Sequence, residues 1–376
     1  MTPSGTRSAA VVGAGIAGLA TAVALRRTGW SVTVHEQAAT LRALGAGLVL
    51  APNAVHALDA LGLGDAVRAR AVPLAGSALR RPDGRPLSRL DAARLADRHG
   101  APVLAIERAA LHALLADALE PGVVRCGTPV ADVAALAGEH DLVVAADGMR
   151  SRARTAGWPD APPPTYAGYT AWRALVRTDV PVTEASETWG HRERFGVVPV
   201  GVGLVYVFAT ATVPADAHAP DGAAELAELR RRFGGWHAPV PALVDAVDPA
   251  AVLRHDVHAL AGVPTTFHRG TTVLVGDAAH ALEPNLGQGA GLALEDAVVL
   301  AHLLADAPVA PALARFTAVR RPRAARLHAM SAALGRLTQQ TGPVVASVRD
   351  AAVRLTPPAL ALRGSDRTMG WRPPAS

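Results

Sequence analysis

The sequence predicts an α/β fold in which a parallel sheet is interrupted by a mainly β insertion and is followed by C-terminal helices. Three observations support this prediction. A strand–helix–strand pattern opens the chain at residues 8–36, strand-like runs fill residues 166–267, and a second strand, loop and helix follow at residues 271–304. The 376 residues are enough for two or three domains of about 150 residues each.

The first strand, turn and helix carry the pattern Gly13-x-Gly15-x-x-Gly18. Residues 9–12 are β-rich, and an Ala- and Leu-rich helix follows the turn. Gly13 permits a tight turn, Gly15 lets the backbone approach a pyrophosphate, and Gly18 lets the helix pack close to the strand. N–H groups at the start of a helix favour phosphate charge, and the first residues of this helix are Ile16 and Ala17.

The second strand ends on a carboxylate. Ser31–Glu36 alternates apolar and polar residues, and a right-handed crossover makes it parallel to the first strand. Glu36 lies near the position at which an acidic side chain accepts hydrogen bonds from ribose hydroxyls. The pattern predicts a site for an adenine dinucleotide, and it does not distinguish NAD from FAD. The glycines and the early Arg26–Arg27 pair fit neither a signal peptide nor a spanning helix, so we expect a cytoplasmic protein without a membrane span.

The middle of the chain changes to mainly β character. We expect short strands over residues 73–99, a helix over Glu107–Leu119 and a buried strand over Asp141–Ala146. Beyond Trp158, an antiparallel or mixed sheet with one helix is predicted by the segments Tyr169–Val176, Phe195–Val200, Val202–Thr210 and Gly222–Phe233.

A second motif follows the buried strand that ends at Ala146. The strand runs into Asp147-Gly148 and then into a turn rich in arginine. This turn is either a solvated loop or part of a ligand site, and its residues alone do not decide between the two.

A third motif follows the predicted strand Thr271–Val275. Asp277 stands at the carboxyl end of this strand, where ligands bind in open α/β sheets, and its side chain can accept hydrogen bonds from a sugar-alcohol chain. A Gly-rich loop then opens a helix over Gly289–Leu304, and a final helical region begins near Pro311. Backbone N–H groups at such a helix start can face an anionic or carbonyl-rich ligand.

Composition excludes several classes of protein. Half of the residues are hydrophobic and 18% are charged, which excludes a disordered chain or a coiled coil. All 37 basic residues are arginine and are scattered without interleaved aromatics, so nucleic-acid binding is not expected. A modest surplus of arginine suits small anionic ligands. The one cysteine, Cys126, excludes an intramolecular disulfide and a cysteine-based metal site, and we expect no metal.

Together and in this order, the three motifs resemble those of the class A FAD-dependent monooxygenases, the para-hydroxybenzoate and salicylate hydroxylase type. The resemblance extends from Gly13 to about Arg323. It implies a Rossmann-like FAD-binding domain of the GR2 type, a substrate-binding sheet domain and a C-terminal helical region. The FAD-binding domain would comprise residues 1–72, 100–165 and 268–330. The substrate-binding sheet domain would comprise residues 73–99 and 166–267, and the C-terminal helical region residues 331–376.

The resemblance also implies which residues contact FAD. The glycine turn would hold the pyrophosphate, Glu36 the adenosine ribose, and Asp277 the ribityl chain. Further contacts are implied for Arg42, Arg108, the backbone of Val130, Asp147, and the loop residues Pro284, Gly287, Gln288, Gly289, Ala290 and Gly291. Glu283 departs from the pattern, because many relatives carry a small or neutral polar residue there. The sequence shows no recognisable catalytic base.

The activity implied by the resemblance uses NAD(P)H, FAD and O2. NAD(P)H reduces FAD, O2 adds to the reduced flavin, and the C4a-hydroperoxide hydroxylates or epoxidises an aromatic or polycyclic molecule. The alternative is a flavoprotein that does not oxygenate, either a reductase or oxidase or a flavin carrier. The protein is expected to be a monomer or a homodimer.

Side chains for the substrate are less clearly marked. Arg173 can bind an anionic substrate or the pyridine nucleotide, or it can form an ion pair. Phe195 and Tyr206 either line the substrate pocket or belong to the core. His280 is either a general base or a structural residue, and the latter is favoured. The cluster Arg320, Arg321 and Arg323 is interpreted as solvated or inter-domain.

Overall fold

The computed structural model describes residues 6–41, 46–340 and 342–375. Within these ranges the strands are β1 Ser8–Val12, β2 Ser31–Glu36, β3 Gly47–Leu50, β4 Val72–Pro73, β5 Gly76–Arg80, β6 Pro86–Asp91, β7 Leu104–Glu107, β8 Val124–Cys126, β9 Leu142–Ala145, β10 Pro164–Arg177, β11 Ala185–Trp189, β12 Glu193–Gly201, β13 Leu204–Ala211, β14 Leu253–Leu260, β15 His268–Arg269 and β16 Thr272–Leu274. The helices are α1 Ile16–Arg27, α2 Pro52–Ala60, α3 Gly64–Arg68, α4 Ala92–His99, α5 Arg108–Asp117, α6 Val133–Glu139, α7 Arg152–Gly157, α8 Gly222–Phe233, α9 Val240–Asp245, α10 Asp277–His280, α11 Gly289–Ala305, α12 Val309–Gln339, α13 Pro343–Leu355, α14 Pro358–Gly364 and α15 Asp366–Met369.

The first sheet contains the predicted strand–helix–strand unit. Its strand order is β15-β16-β9-β1-β2-β8, and every neighbouring pair is parallel except β15 with β16. Val12 pairs with His35 of β2 and with Ala145 of β9, so the carboxyl ends of these strands lie side by side. β1 and β9 are apolar at almost every position because they lie inside the main hydrophobic core, together with α1 and α11.

The second sheet is mainly antiparallel and has seven strands in the order β14-β10-β13-β12-β11-β5-β6. On one face, Trp172 and Phe195 pack against Phe233 of α8. On the other face, Tyr206 and Val198 pack against the three-stranded sheet β3-β7-β4 and its flanking residues. Both faces are therefore covered, which explains why β12 and β13 do not alternate between apolar and polar residues.

This architecture confirms the predicted fold class. The parallel sheet is interrupted by the seven-stranded sheet, and helices α12 to α15 end the described chain. The domain limits given above stay a prediction. Among the described residues, no helix is both long and apolar enough to span a lipid bilayer.

One predicted element is wrong. Residues 73–99 were expected to form only short strands, but the segment ends in the helix α4. Asp91 caps this helix, because its Oδ1 accepts hydrogen bonds from the backbone N–H groups of Ala93, at 2.8 Å, and Arg94. Gly100 ends the helix with a left-handed backbone at φ +67°.

Candidate functional site

Four predicted site residues lie along one edge of the parallel sheet. Gly13 follows β1, Glu36 ends β2, Asp147 follows β9, and Asp277 follows β16. The order β16-β9-β1-β2 places Asp277 and Glu36 three strand spacings apart, which is about 14 Å at about 4.8 Å per spacing. An extended dinucleotide can bridge such a distance. The three motifs therefore meet at the carboxyl edge of one sheet.

The glycine turn is closely packed on one side and open on the other. Gly13 has φ +101°, and a Cβ atom there would lie 2.5 Å from the carbonyl oxygen of Ala146. A Cβ at Gly18 would overlap the carbonyl oxygen of Gly13. At Gly15, in contrast, a Cβ would meet nothing within 4 Å. Gly15 therefore borders open space beside the start of α1, where a pyrophosphate would lie.

Glu36 and α5 hold the glycine turn. The Glu36 carboxylate accepts hydrogen bonds from the backbone N–H groups of Ala14 and Ala38, both at 2.8 Å. Each oxygen keeps a lone pair that a ribose hydroxyl can use. His112, which the sequence analysis missed, contacts the carbonyl oxygen of Ala14 through Nε2 at 2.7 Å. Its position one turn beyond Arg108, on a predicted helix, was the available signal.

Arg108 and Val130 lie beside this part of the sheet. Arg108 is exposed and begins α5, with its backbone N–H bonded to the carbonyl of Ala46. Val130 is half-buried and lies beyond the end of β8, the strand next to β2. Arg42 lies outside the described residues.

The Asp147 turn is partly buried and is not a fully solvated loop. Asp147 Oδ2 accepts a hydrogen bond from Ala153 N at 3.1 Å, whereas Oδ1 is buried and has no hydrogen-bond partner among the described residues. Arg154 is 2% exposed and donates to the carbonyl oxygens of Met149 and Ala278 at 2.6 and 2.9 Å. Burial lowers the pKa of Arg154, and Asp147 opposes that shift. The second motif is thus tied to the third.

Gly276 sets the position of Asp277. Its backbone has φ +57°, and a Cβ atom would lie 2.6 Å from the Cβ of Ala17. Only glycine allows this close approach of the turn to the first turn of α1. Asp277 is exposed while the three residues after it are buried. Its carboxylate is therefore available to a ligand in the cleft.

The loop that contains residues 284–291 forms the other wall. Residues Pro284–Leu286 form a 3₁₀ turn, and Gly287 follows with φ +62°. A Cβ at Gly287 or at Gly289 would meet nothing within 4 Å. The first N–H groups of α11, from Gly289 to Gly291, have no intrahelical acceptor, because the first turn of any helix leaves them free. These donors suit a carbonyl-rich or anionic ring system.

A buried charge network lies behind this loop. Arg320 donates to Asp296 Oδ1 and to Glu295 Oε2, both at 2.7 Å, and each of the three side chains is at most 1% exposed. His280 contacts Asp296 Oδ2 at 2.7 Å, and Arg323 donates to both oxygens of Glu295. Burial alone would raise the pKa of Asp296, but His280 and Arg320 outweigh it and hold that pKa at about 2.

This network corrects the interpretation of Arg320 as part of a solvated or inter-domain cluster. Arg320 can be buried because its guanidinium forms ion pairs with two buried carboxylates of α11, which compensate the charge of each group. The network also reaches the site, since Asn53 Nδ2 donates to both Glu295 and Gln288, at 2.7 and 2.8 Å. His280 is a structural partner of Asp296, as favoured by the sequence analysis.

One face of the seven-stranded sheet packs against the three-stranded sheet β3-β7-β4 and carries two of the three predicted substrate residues. Arg173 and Tyr206 lie on this face, and Tyr206 packs where β3 has Gly47. Burial raises the pKa of Tyr206, and the positive charges of Arg173 and Arg108 oppose the shift. Arg173 and Tyr206 lie diagonally across the neighbouring strands β10 and β13.

Phe195 does not line this face. Its side chain lies on the opposite face, 2% exposed, with its ring centroid 5.4 Å from that of Phe233. The assignment of Phe195 to a pocket is corrected to a core role. Phe195 pairs with Ala209 of β13, and both side chains belong to the face that packs against α8, because adjacent strand residues point to opposite faces.

A polar cluster beside the loop was missed by the sequence analysis. The Tyr169 hydroxyl lies 2.9 Å from Glu283 Oε2 and 3.1 Å from Asn285 Oδ1, and Arg194 Nη2 donates to Asn285 Oδ1 at 2.5 Å. Arg194 Nε donates to the hydroxyl of Thr210 at 3.3 Å. Burial raises the pKa values of Glu283 and Tyr169. The unusual residue type at position 283 was the signal for this cluster.

Comparison with known proteins agrees with this geometry. A family model described as "FAD binding domain" matches residues 6–135 and 134–331. The chain is 38% identical to aurachin C monooxygenase/isomerase of Stigmatella aurantiaca, over 92% of this chain and 93% of that protein. It is 36% identical to 2-heptyl-3-hydroxy-4(1H)-quinolone synthase of Pseudomonas aeruginosa, over 92% and 94% of the two chains.

A solved structure is also similar over nearly the full length. The crystal structure of Klebsiella pneumoniae HpxO complexed with FAD and uric acid matches with a TM-score of 0.88 and 29% identity, covering 96% of each chain. The chain therefore belongs to the FAD-binding domain family of FAD-dependent monooxygenases.

Proposed function

We propose that this protein uses FAD, NAD(P)H and O2 to hydroxylate or epoxidise a fused, nitrogen-containing aromatic molecule. The observation that carries the proposal is that three glycine- and carboxylate-containing motifs meet at one sheet edge. Gly15 and Gly287 border open space there, and the Glu36 carboxylate keeps lone pairs that can accept further hydrogen bonds. The substrate class is supported by the relatives, whose names specify a quinolone product and bound uric acid. Both compounds are fused ring systems that contain ring nitrogen and a ring carbonyl group.

We propose that the residues singled out in the sequence hold FAD. They are Gly13, Gly15, Ile16, Ala17, Gly18, Glu36, Arg108, Val130, Asp147, Asp277, Pro284, Gly287, Gln288, Gly289, Ala290 and Gly291. Arg42 belongs to the same proposal and lies outside the described residues. The unpartnered, buried Asp147 Oδ1 supports the fit, because a ligand hydroxyl or amide would satisfy it.

When bound, FAD supplies the redox chemistry between NAD(P)H and O2. The chain positions and shields it. Glu36 and Asp277 would hold the two sugar portions of FAD, and the N–H groups at the start of α11 would stabilise negative charge on its ring system. The closely packed glycine turn keeps the pyrophosphate fixed relative to the loop at residues 284–291.

We propose that the substrate binds between this loop and the sheet face that carries Arg173 and Tyr206. Arg173 can bind a carbonyl or enolate oxygen of the substrate, because its guanidinium is a charged hydrogen-bond donor. Phe208 lies over Gly196, where a Cβ would overlap its ring, and it supplies an apolar wall on the same face. Such a wall excludes water from the reacting atoms.

The experiment is a substrate screen with oxygen accounting. The purified protein should bind FAD, and 4-quinolones and related fused heteroaromatics should accelerate its NADH or NADPH oxidation and incorporate an atom from ¹⁸O2. The variant Arg173→Met should raise KM, whereas Arg177→Met, at the exposed end of the same strand, should not. FAD binding without substrate-stimulated oxidation or oxygen incorporation would favour the non-oxygenating alternative.

Localisation and assembly complete the proposal. We propose that the protein acts in the cytoplasm, since a single cysteine gives no sign of an oxidising compartment. We propose a monomer or a homodimer, which light scattering of the purified protein would decide.

A further inference from the structure

The helix α13 presents its apolar stripe to solvent. Val344, Val348 and Leu355 are 75%, 64% and 75% exposed. At 100° per residue these positions lie within about 40° of one another around the helix, and exposed Ala351 lies in the same stripe. We call these four residues the α13 apolar stripe. A surface helix of a globular protein normally turns such a stripe inward.

The opposite face of α13 buries charge. Arg349 and Asp350 are 4% and 6% exposed, and Arg349 donates to Asp350 Oδ1 at 2.7 Å. Asp350 also lies 3.5 Å from Arg81, and the Arg349 guanidinium lies over the ring of Trp189. The helix is therefore held in this orientation by the Arg81–Asp350 ion pair and the Arg349–Trp189 contact, and the exposure of the stripe follows from its packing.

The exposed charge of the segment that carries the stripe is positive. Asp350 is the one acidic residue between residues 342 and 364, and it is buried and paired. Arg354 and Arg363 are exposed in the same segment, and Leu360 of α14 adds a side chain that is 58% exposed. An exposed apolar stripe flanked by arginine matches a surface that is apolar inside and anionic at its boundary.

We propose that the α13 apolar stripe docks this protein on the surface of an anionic lipid bilayer. The helix has 13 residues and is about 20 Å long, so it lies in the interface plane and does not cross the bilayer. Residues 342–364 contain no aromatic side chain, whereas the centres of protein interfaces are enriched in them. A second copy of the chain would bring the same arginines to the contact. This inference does not depend on the proposed function.

The test is sedimentation of the full-length protein with vesicles. One set contains phosphatidylcholine with about one quarter phosphatidylglycerol, and the other contains phosphatidylcholine alone. We expect binding to the anionic vesicles, with weaker binding to the neutral ones and a loss of binding at high salt. The double variant Val344→Asp, Val348→Asp should reduce the partition coefficient about ten-fold or more, since two charges enter the apolar contact.

Controls separate docking from folding. Val202→Asp changes a valine that is 103% exposed in a turn outside the stripe, and it should bind as the wild type does. Circular dichroism should show the same melting temperature for all variants, because the substituted side chains are exposed. The proposal is overturned if the wild type does not sediment with anionic vesicles, or if the double variant binds them equally well. It is also overturned if the stripe variants instead convert a dimer to a monomer in light scattering while vesicle binding is absent.

Discussion

Removal of the Arg320 guanidinium should strongly destabilise the protein, although the residue contacts no predicted ligand. In Arg320→Ala, the carboxylates of Asp296 and Glu295, both 0% exposed, lose a charged partner at 2.7 Å. Truncating one partner of a buried ion pair costs about 3–5 kcal/mol, because an uncompensated charge stays in the interior. Glu295 keeps Arg323 and Asp296 keeps His280, so we expect a loss of about 3 kcal/mol, at the lower end of that range.

The assay is urea unfolding of the FAD-free protein followed by circular dichroism. Arg315→Ala, an exposed arginine on the same helix, is the matched control and should change the unfolding free energy by no more than about 0.5 kcal/mol. Arg320→Lys should give an intermediate loss, since an ammonium cannot bridge both carboxylates with a planar fork. An Arg320→Ala protein as stable as the Arg315→Ala protein would refute the assignment of this network as a structural support of the site.

Three further predictions concern single side chains. The pKa of Asp296 is about 2 in the folded protein and 3.8 ordinarily. Ionised Asp296 therefore adds about 2 kcal/mol to the free energy of unfolding, and this contribution is fully present above about pH 4 and is lost as the pH falls toward 2. Asp296→Asn should remove this part of the pH dependence of stability, as measured by urea unfolding. Phe195→Ala should cost about 3–5 kcal/mol in unfolding free energy and leave the Kd for FAD unchanged, and a changed Kd with unchanged stability would contradict its core role. Tyr169→Phe should cost about 1–3 kcal/mol, because Glu283 loses a buried donor, and an unaltered melting temperature would show that this hydrogen bond is not needed.

The sequence predicted the parallel sheet and its edge because those features depend on local patterns. The glycine spacing at Gly13 to Gly18 requires a strand before it and a helix after it, and the structure shows both. The helix at Gly222–Phe233 was predicted with the limits that the structure has. Parallel pairing then brings strand ends together without any further information.

Features that depend on distant contacts could not be predicted in the same way. Both faces of the seven-stranded sheet are covered, so alternation did not tell which face Phe195 would occupy. Arg320 is paired with carboxylates more than twenty residues away on another helix, and composition alone suggested a solvated cluster. The helix α4 was missed although Asp91 carries the capping signal, because turn residues dominated the segment before it.

The central claim is that the glycine turn, Glu36 and Asp277 form one site for a flavin nucleotide, and a titration of FAD tests it most directly. In Gly15→Ala the new methyl group meets nothing within 4 Å of the FAD-free protein, so folding should be unaffected while the pyrophosphate is obstructed. Gly138→Ala, whose added Cβ would also meet nothing within 4 Å, is the matched control. We predict that Gly15→Ala raises the Kd for FAD at least about ten-fold, or about 1.4 kcal/mol, at an unchanged melting temperature. Equal Kd values for the wild type, Gly15→Ala and Gly138→Ala would contradict the claim.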